Sequence, residues 1–237
     1  MPLERLDRLI AVGANVSRAN AQRLISSGAV LVDGVKPRSG SEKADIDVNI
    51  IAVNGREIFV KQNLYLMMNK PLGYVCSTSD PQKTVLELVP KALLRKGLFP
   101  AGRLDKYSEG MLIITDDGDF AHRMLSPKKH LPKTYEVEAD GCVSDEGLAK
   151  AFETGISIGK GQRTSPAELE VTSQTTARVT IYEGMYHQIR RMFDKFGLNV
   201  IKLKRIRIGG LWLDETLKAG ECRELSKKEV DSIFQIS

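Results

Sequence analysis

The N-terminal part of the chain places apolar residues at helical spacing. Leu6, Leu9 and Ile10 fall on one face of a helix. Ser17 occupies a typical N-cap position ahead of the segment RANAQRLISSG, and Gly28 is a helix stop. The pattern predicts two short helices that lead into the strand AVLVDG.

Turn signals then separate short β-branched runs. The tripeptides VDG and VNG lie between such runs and predict a small antiparallel sheet over residues 29–58. About sixty residues can fold alone, although only marginally. We therefore expect a small α/β domain over residues 1–60 and a larger domain over residues 61–237, with the linker at residues 59–63.

From Leu64 onwards, apolar runs of strand length alternate with helical segments. The runs that predict strands are LYLMMNKP, GYVCST, GMLIITDD, KTYEVEA, ARVTIYE and NVIKLKRIRIG. The segments that predict helices are DFAHRMLS, SDEGLAKAFETG and YHQIRRMFDKFG. The chain is thus predicted to be α+β, and its larger domain to contain a long mixed or antiparallel sheet flanked by helices.

The last of these helices has a basic polar side. Its apolar residues at the spacing of a buried stripe are Ile189, Met192, Phe193 and Phe196. The remaining faces carry His187, Arg190 and Arg191, and such a basic face favours an anion. That anion is either a phosphate group of a ligand or a carboxylate that one arginine keeps ionised.

Basic residues are concentrated in three stretches. Residues 1–40 hold six basic and three acidic side chains, residues 121–134 hold four and none, and residues 186–207 hold seven and one. These stretches sum to +13, so the rest of the chain sums to −8 of the net +5. Such segregation is typical of proteins that bind a polyanion, and a solvated charged face is the alternative.

Other features exclude several classes of protein. No apolar run approaches membrane-spanning length, and the N-terminus carries acids where a signal peptide has a basic start, so we expect a soluble cytoplasmic protein. The three cysteines are scattered, and His122, His130 and His187 are widely spaced. We expect reduced thiols, no metal site and no cofactor.

The segment AGRLDKYSEGM places Asp105 before a Ser-Glu-Gly turn that leads into the apolar run MLIIT. This spacing predicts a carboxylate at the rim of a buried sheet, where a substrate can reach it. An aspartate before a turn also commonly caps its own backbone. The local spacing alone leaves both interpretations open.

The N-terminal segments RLDRLI, SRANAQRLISSGAVLVDG and DIDVNIIAVNG resemble the S4 RNA-binding domain throughout its length. This resemblance implies that Arg5, Arg18, Arg23 and Lys36 face RNA phosphate. The alternative is that some of these residues only solvate a helix face.

The larger domain is similar to the pseudouridine synthases of the RsuA type. The motifs that carry this resemblance, in order, are NKPLGYVCSTSD, PAGRLDKYSEGML, SPKKHLPKTYEVE, EGMYHQIRRMF and VIKLKRIRIGGL. The variants CSTSDP and SPKKHLPKTY look more like the small-subunit rRNA enzyme than its large-subunit relatives. The resemblance implies isomerisation of a uridine in 16S rRNA, within a precursor or assembling small ribosomal subunit.

By this resemblance, Asp105 matches the catalytic aspartate and Arg190 its basic partner. Tyr135 matches the tyrosine that packs on the target base, and Leu203 matches an apolar residue of the base pocket. The sequence departs from the commonest pattern where Ser108 replaces a threonine and Met111 a leucine. Both changes keep the hydroxyl group or the apolar bulk, so we expect small adjustments of packing.

The reaction explains why one carboxylate is sufficient. Hydrolysis of a glycoside uses two carboxylates, whereas here the uracil base leaves and returns without water. The carboxylate adds to C1′, stabilises a cationic sugar or deprotonates C2′, and the sequence does not choose among these. The target base must be flipped out of its stack, and the residues expected to hold RNA around the site are Lys70, Arg103, Lys133, His187, Arg191 and Arg205.

Two other functions remain open at this point. One is the same chemistry on 23S rRNA, and the other is a non-catalytic RNA-binding factor of ribosome assembly. The joint presence of GRLD, KTY and QIRR disfavours the second. We expect the protein to act as a monomer.

Overall fold

The protein, described here by a computed structural model that covers residues 3–46, 48–59, 63–126, 129–159 and 161–235, forms two compact units. They comprise Met1–Gln62 and Asn63–Ser237. Most of the predicted linker lies outside the described residues. None of the helices in the described ranges has the length and apolar character that crossing a bilayer requires.

The N-terminal unit combines two helices with short strands. Helices α1 (Leu6–Gly13) and α2 (Arg18–Ser26) occur where the pattern predicts them. The Ser17 side chain accepts a hydrogen bond from the backbone N–H of Asn20, so it caps α2 as expected. Gly28 has a φ of 75°, the left-handed conformation that commonly ends a helix.

The strands of this unit form two small sheets. They are β1 (Glu4–Arg5), β2 (Val30–Val32), β3 (Lys43–Ala44), β4 (Ile51–Val53) and β5 (Arg56–Glu57). Strand β1 pairs with β3, while β2, β4 and β5 form an antiparallel sheet. The apolar faces of both helices pack against these strands around Leu6, Ile10 and Ile51.

The C-terminal unit is built on one large mixed sheet. Its strands are β6 (Tyr65–Lys70), β7 (Phe99–Ala101), β8 (Glu109–Thr115), β9 (Lys133–Ala139), β10 (Glu168–Val171), β11 (Thr176–Ile181), β12 (Val200–Ile208), β13 (Leu211–Trp212) and β14 (Cys222–Glu224). Within the described residues the main order is β10-β11-β9-β12-β8-β6-β14, with β13 beside β12 and β7 beside β8. Only the β8–β12 pair among these is parallel, so the predicted mixed sheet is confirmed.

Helices and loops cover both faces of this sheet. The helices are α3 (Gly118–Leu125), α4 (Glu146–Thr154), α5 (Gln188–Asp194) and α6 (Lys227–Ser232). Along β8, Met111 and Ile113 pack with α3, whereas Leu112 and Ile114 pack in a separate cluster with Leu66 of β6. The continuous apolar run MLIIT is therefore a strand that is buried on both faces.

Two local predictions are wrong. Residues 73–78, predicted as a strand, form an irregular segment instead. Its strand-like pairing is limited to an isolated β-bridge between Val75 and Thr84. Phe196, predicted in the buried stripe, lies beyond the end of α5 and is partly exposed, whereas Ile189 and Phe193 are buried. The helical spacing of apolar residues continues beyond the last turn of α5, so the spacing alone wrongly assigns Phe196 to the helix.

Gly110 makes the parallel junction of β8 and β12 possible. It lies opposite Arg205, has a φ of 100°, and a Cβ atom there would lie 2.3 Å from the Arg205 carbonyl oxygen. We predict that Gly110→Ala lowers the free energy of unfolding of this unit by about 2 kcal/mol or more, because strain and steric overlap act together. The measurement is urea unfolding followed by fluorescence of Trp212, the single tryptophan of the chain.

Gly118→Ala is the matched control for this substitution. Gly118 begins α3, and a Cβ atom there meets nothing within 4 Å. Alanine favours helices over glycine by at most about 1 kcal/mol, so stability should stay equal or rise slightly. Equal unfolding midpoints for the two variants would contradict the role assigned to Gly110.

Candidate active site

Asp105 lies in a tight turn between β7 and β8. The turn closes with a 3.0 Å hydrogen bond from the Ser108 N–H to the Asp105 carbonyl. Leu104, just before it, is buried in the core, while about a third of the Asp105 side chain is exposed. The carboxylate therefore stands at the rim of the sheet, as the sequence predicts.

Other parts of the chain bind every carbonyl of this turn. Lys70 Nζ donates to the carbonyls of Asp105 (3.1 Å) and Ser108 (2.8 Å). The Gly73 N–H donates to the Lys106 carbonyl over 2.8 Å. The Tyr107 carbonyl accepts a 2.7 Å bond from Arg190. Four consecutive carbonyls are thus held by three residues from two segments of the chain, which fixes the backbone beneath the carboxylate.

The Lys70 side chain that binds these carbonyls is completely buried. It has no exposed surface, and its ammonium also donates to the Pro71 carbonyl. Burial lowers its pKa from the usual value, opposed by the nearby thiol and carboxyl groups of Cys76, Asp105 and Glu109. The prediction that Lys70 holds RNA phosphate is therefore wrong, because its donors are committed to the Asp105 turn.

Arg190 also braces this turn. Its two terminal nitrogens donate to the carbonyls of Tyr107 and Val200, each over 2.7 Å. It thereby ties the Asp105 turn to the first residue of β12. No ion pair joins it to the Asp105 carboxylate among the described contacts, so the predicted direct pairing of these side chains is wrong for this structure.

His187 is the cation-forming side chain that approaches Asp105. Its Nε2 lies 3.5 Å from a carboxylate oxygen of Asp105. The His187 backbone is left-handed, with φ 50° and ψ 33°, and its ring stacks on the Tyr186 ring at 3.9 Å between centroids. The sequence predicts His187 near the site but as a phosphate contact, and the structure places it against the carboxylate instead.

Tyr135 and Leu203 lie together on one face of the sheet. Leu203 pairs with Val137, which is two residues from Tyr135 on β9, so the three side chains share a face. All three belong to the core cluster that contains Leu104, the neighbour of Asp105. This apolar wall beside the carboxylate fits the predicted base pocket.

Arg205 and Lys133 are more buried than their predicted role requires. Arg205 is 4% exposed and its Nε donates to the Met111 carbonyl over 2.8 Å, so the prediction of a surface phosphate contact is wrong for it. Burial, and then the charge of Arg205, lower the pKa of Lys133 to about 8. Among the described residues, Arg205 Nη2 and the Ser108 hydroxyl are buried without a hydrogen-bond partner.

Arg191 and Arg103 differ in their availability to a ligand. All three nitrogens of the Arg191 guanidinium donate to the protein, at Ile158, Gly159, Gln162 and Tyr186. Arg191 therefore anchors the neighbouring loop, and its contact with RNA stays a prediction. Arg103 is exposed, and within the described residues it has no hydrogen bond or ion pair, so it remains a candidate.

The basic residues predicted in the N-terminal unit lie at its surface. Arg18, Arg23 and Lys36 are exposed. Arg5 is half exposed but makes two bonds to the buried Asp7, and this contact lowers the pKa of the Asp7 carboxyl. An open cleft of about 580 Å³ is lined by Arg5, Lys36, Arg38, Ser26 and Ser27, among others.

Several contacts of the site escape prediction from sequence. The Leu104 N–H donates to the Cys76 sulfur, and Gly73 binds the turn through its backbone. Both residues lie in the motif NKPLGYVCSTSD, which is the signal that could have marked them. The described residues contain no group of three or more metal-ligating side chains.

Removal of the Lys70 ammonium should loosen the Asp105 turn. We predict that Lys70→Met lowers the free energy of unfolding of the C-terminal unit by about 3 kcal/mol or more, because three carbonyls lose a charged donor. The measurement is urea unfolding followed by Trp212 fluorescence. Lys83→Met, at an exposed lysine, is the control and should change stability by less than about 0.5 kcal/mol. Equal stability of both variants would contradict this role.

Comparisons with known proteins show similarity over nearly the whole chain. The RNA pseudouridylate synthase family model matches residues 64–195, and the S4 domain model matches residues 4–48. Ribosomal small subunit pseudouridine synthase A is 43% identical in Vibrio cholerae (98% of this chain, 100% of that protein) and 42% identical in Escherichia coli K12 (97% and 99%). The Bacillus subtilis protein named uncharacterized RNA pseudouridine synthase YtzG is 41% identical (95% and 96%).

A solved structure agrees with the sequence comparisons. A crystal structure of a pseudouridylate synthase superposes with a TM-score of 0.69 at 36% identity, over 97% of this chain and 99% of that one. The S4 domain and the mixed-sheet domain that carries the Asp105 turn both match known models. The chain therefore belongs to the RNA pseudouridylate synthase family, whose members are isomerases.

Proposed function

We propose that this enzyme converts a uridine of 16S rRNA to pseudouridine, with Asp105 as the catalytic carboxylate. The observation that carries this proposal is the Asp105 turn, whose carbonyls are all bonded within the protein while its carboxylate stays partly exposed. A group held in this way can meet a substrate atom in one fixed geometry, which is a large part of catalytic power.

The chemistry proceeds through the ribose of the flipped nucleotide. The N1–C1′ bond breaks, the uracil rotates, and a bond forms between C5 and C1′. Asp105 acts on the sugar, at C1′ as a nucleophile or at C2′ as a base, and both routes need one ionised carboxylate. Since the base returns to the same sugar, the pocket must exclude water.

Tyr135 and Leu203 form the wall of the base pocket. Their buried side chains on one face of the sheet provide an apolar surface for the uracil ring. After the base rejoins through C5, the Tyr135 hydroxyl or a water beside it accepts the C5 proton. Arg190 is a positioning residue, because it acts on Asp105 through the Tyr107 carbonyl.

The substrate assignment follows from the relatives. Two of them carry the name ribosomal small subunit pseudouridine synthase A and align over nearly their whole length. We infer that residues 1–60 hold rRNA and that residues 61–237 modify it, in a precursor or assembling small subunit in the cytoplasm. The protein acts as a monomer and needs no cofactor in this proposal.

Asp105→Asn tests the catalytic assignment. We predict that product formation falls by a factor on the order of 10⁴, the scale for loss of an essential catalytic group, while RNA affinity is retained. Pseudouridine in unmodified 16S and 23S transcripts, with and without ribosomal proteins, is mapped by chemical labelling and primer extension. The control is Asp80→Asn, which changes an exposed aspartate.

Each outcome of this experiment decides something. One new primer-extension stop in the 16S transcript supports both the reaction and the 16S rRNA substrate. A stop only in the 23S transcript supports the reaction and overturns the substrate assignment. Normal turnover by Asp105→Asn would overturn the role of Asp105.

The proposed rRNA contacts of the N-terminal unit are tested by the salt dependence of rRNA binding. We predict that Arg18→Gln/Arg23→Gln weakens rRNA binding and reduces the slope of log K against log salt concentration by about 1.5, since each phosphate contact contributes about 0.7 to 0.9. The measurement is filter binding at several salt concentrations. Arg56→Gln changes an exposed arginine of β5 and should leave the slope unchanged. An unchanged slope in the double variant would contradict these phosphate contacts.

A further inference from the structure

An exposed aromatic pair lies directly beside the Asp105 carboxylate. The Tyr186 and His187 rings stack at 3.9 Å between centroids, with planes 14° apart. His187 covers one face of Tyr186, yet Tyr186 is 74% exposed, so its other face is open. His187 in turn lies 3.5 Å from Asp105, so one residue separates the open ring from the proposed catalytic carboxylate.

The segment that carries this pair is held firmly by buried polar contacts. Gln188 is 4% exposed, accepts from the Met185 N–H at 2.9 Å and donates to Glu183 at 2.7 Å. Arg191 donates to the Tyr186 carbonyl at 3.1 Å. The left-handed backbone of His187 has a conformational cost for a residue other than glycine. The protein thus maintains an exposed ring that adds little to its own core.

We propose that Tyr186, backed by His187, is a stacking platform for an unpaired base that neighbours the target uridine in the RNA. Flipping the target removes the stacking partner of its neighbour. An aromatic side chain can replace that partner, because every nucleobase presents a π face. An open depression of about 240 Å³ on the His187 side of the pair is lined by Arg190 and Arg191, with Asp194 as the one acidic residue among its described lining, so an RNA backbone there meets a net basic surface.

This platform differs from the proposed base pocket. Tyr135 and Leu203 are buried in the core, whereas Tyr186 is exposed to solvent and stacks on His187, the residue that contacts Asp105. The platform therefore serves the bases around the target and makes local unpairing easier. The inference rests on the proposed function, because it requires an RNA substrate.

Two substitutions separate stacking from other roles of Tyr186. Tyr186→Phe keeps the ring and removes the hydroxyl, so its half-saturating enzyme concentration in single-turnover assays should stay within about twofold of wild type. Tyr186→Leu removes the ring and should raise that concentration on the order of tenfold, the scale of one lost base stack. The thermal midpoint of both variants should equal that of wild type, because the ring is exposed.

A fluorescent variant reports the stack directly. Trp212 is the single tryptophan, so Tyr186→Trp in a Trp212→Phe background carries one indole at the platform. Its emission should be quenched when unmodified 16S or 23S transcript saturates the enzyme. Wild-type enzyme, whose indole lies on β13, is the control and should show little quenching.

The outcomes separate this inference from the proposed function. Wild-type turnover tests the function, whereas the fluorescence test needs only RNA binding. Equal half-saturation for wild type and Tyr186→Leu, or unchanged emission of Trp at position 186 with RNA bound, would overturn the platform. A parallel loss of thermal stability in Tyr186→Leu, without quenching in the tryptophan variant, would show a purely structural role and overturn it as well.

Discussion

The buried ammonium of Lys70 is the contact on which the geometry of the site depends. A turn that projects a carboxylate has carbonyls that need donors, and at a protein surface water normally supplies them. Here Lys70 replaces that water at two of the turn's carbonyls, with Gly73 and Arg190 at the others. Because these donors belong to the protein, they also fix the backbone that carries the carboxylate.

The sheet topology brings the remaining parts of the site to this turn. Strand β8 begins immediately after the turn and runs parallel to β12, with Gly110 opposite Arg205. On its other edge β12 pairs antiparallel with β9, which places Tyr135 and Leu203 on one face. Residues that are about a hundred positions apart in sequence therefore meet at one junction. The close approach at Gly110 leaves no room for a side chain there.

Local sequence patterns are sufficient to predict the helices and strands. The errors concern basic side chains whose hydrogen-bond acceptors lie far away in the sequence. The Ser17 cap, the buried β8 and the basic faces of α5 depend on neighbouring residues, so the sequence is sufficient for them. The burial of the Lys70 ammonium depends on hydrogen bonds to carbonyls 35 and 38 residues away. Sequence assigns such a lysine to the surface because buried lysines are rare. Arg190 lies beside the Asp105 turn, but its backbone acceptors cannot be recognised from residue types.

This distinction changes how the basic stretches contribute to RNA recognition. Net charge in the stretch 186–207 suggests a broad phosphate-binding face, yet Arg190, Arg191 and Arg205 each donate hydrogen bonds to backbone carbonyls of the protein. Their charges still attract RNA over a distance of about a Debye length. In the proposed function, direct contacts fall to exposed cations such as Arg103, Arg18 and Arg23. In the proposed function, the cations that are bonded within the protein therefore build the site and steer the polyanion, and the exposed cations hold it.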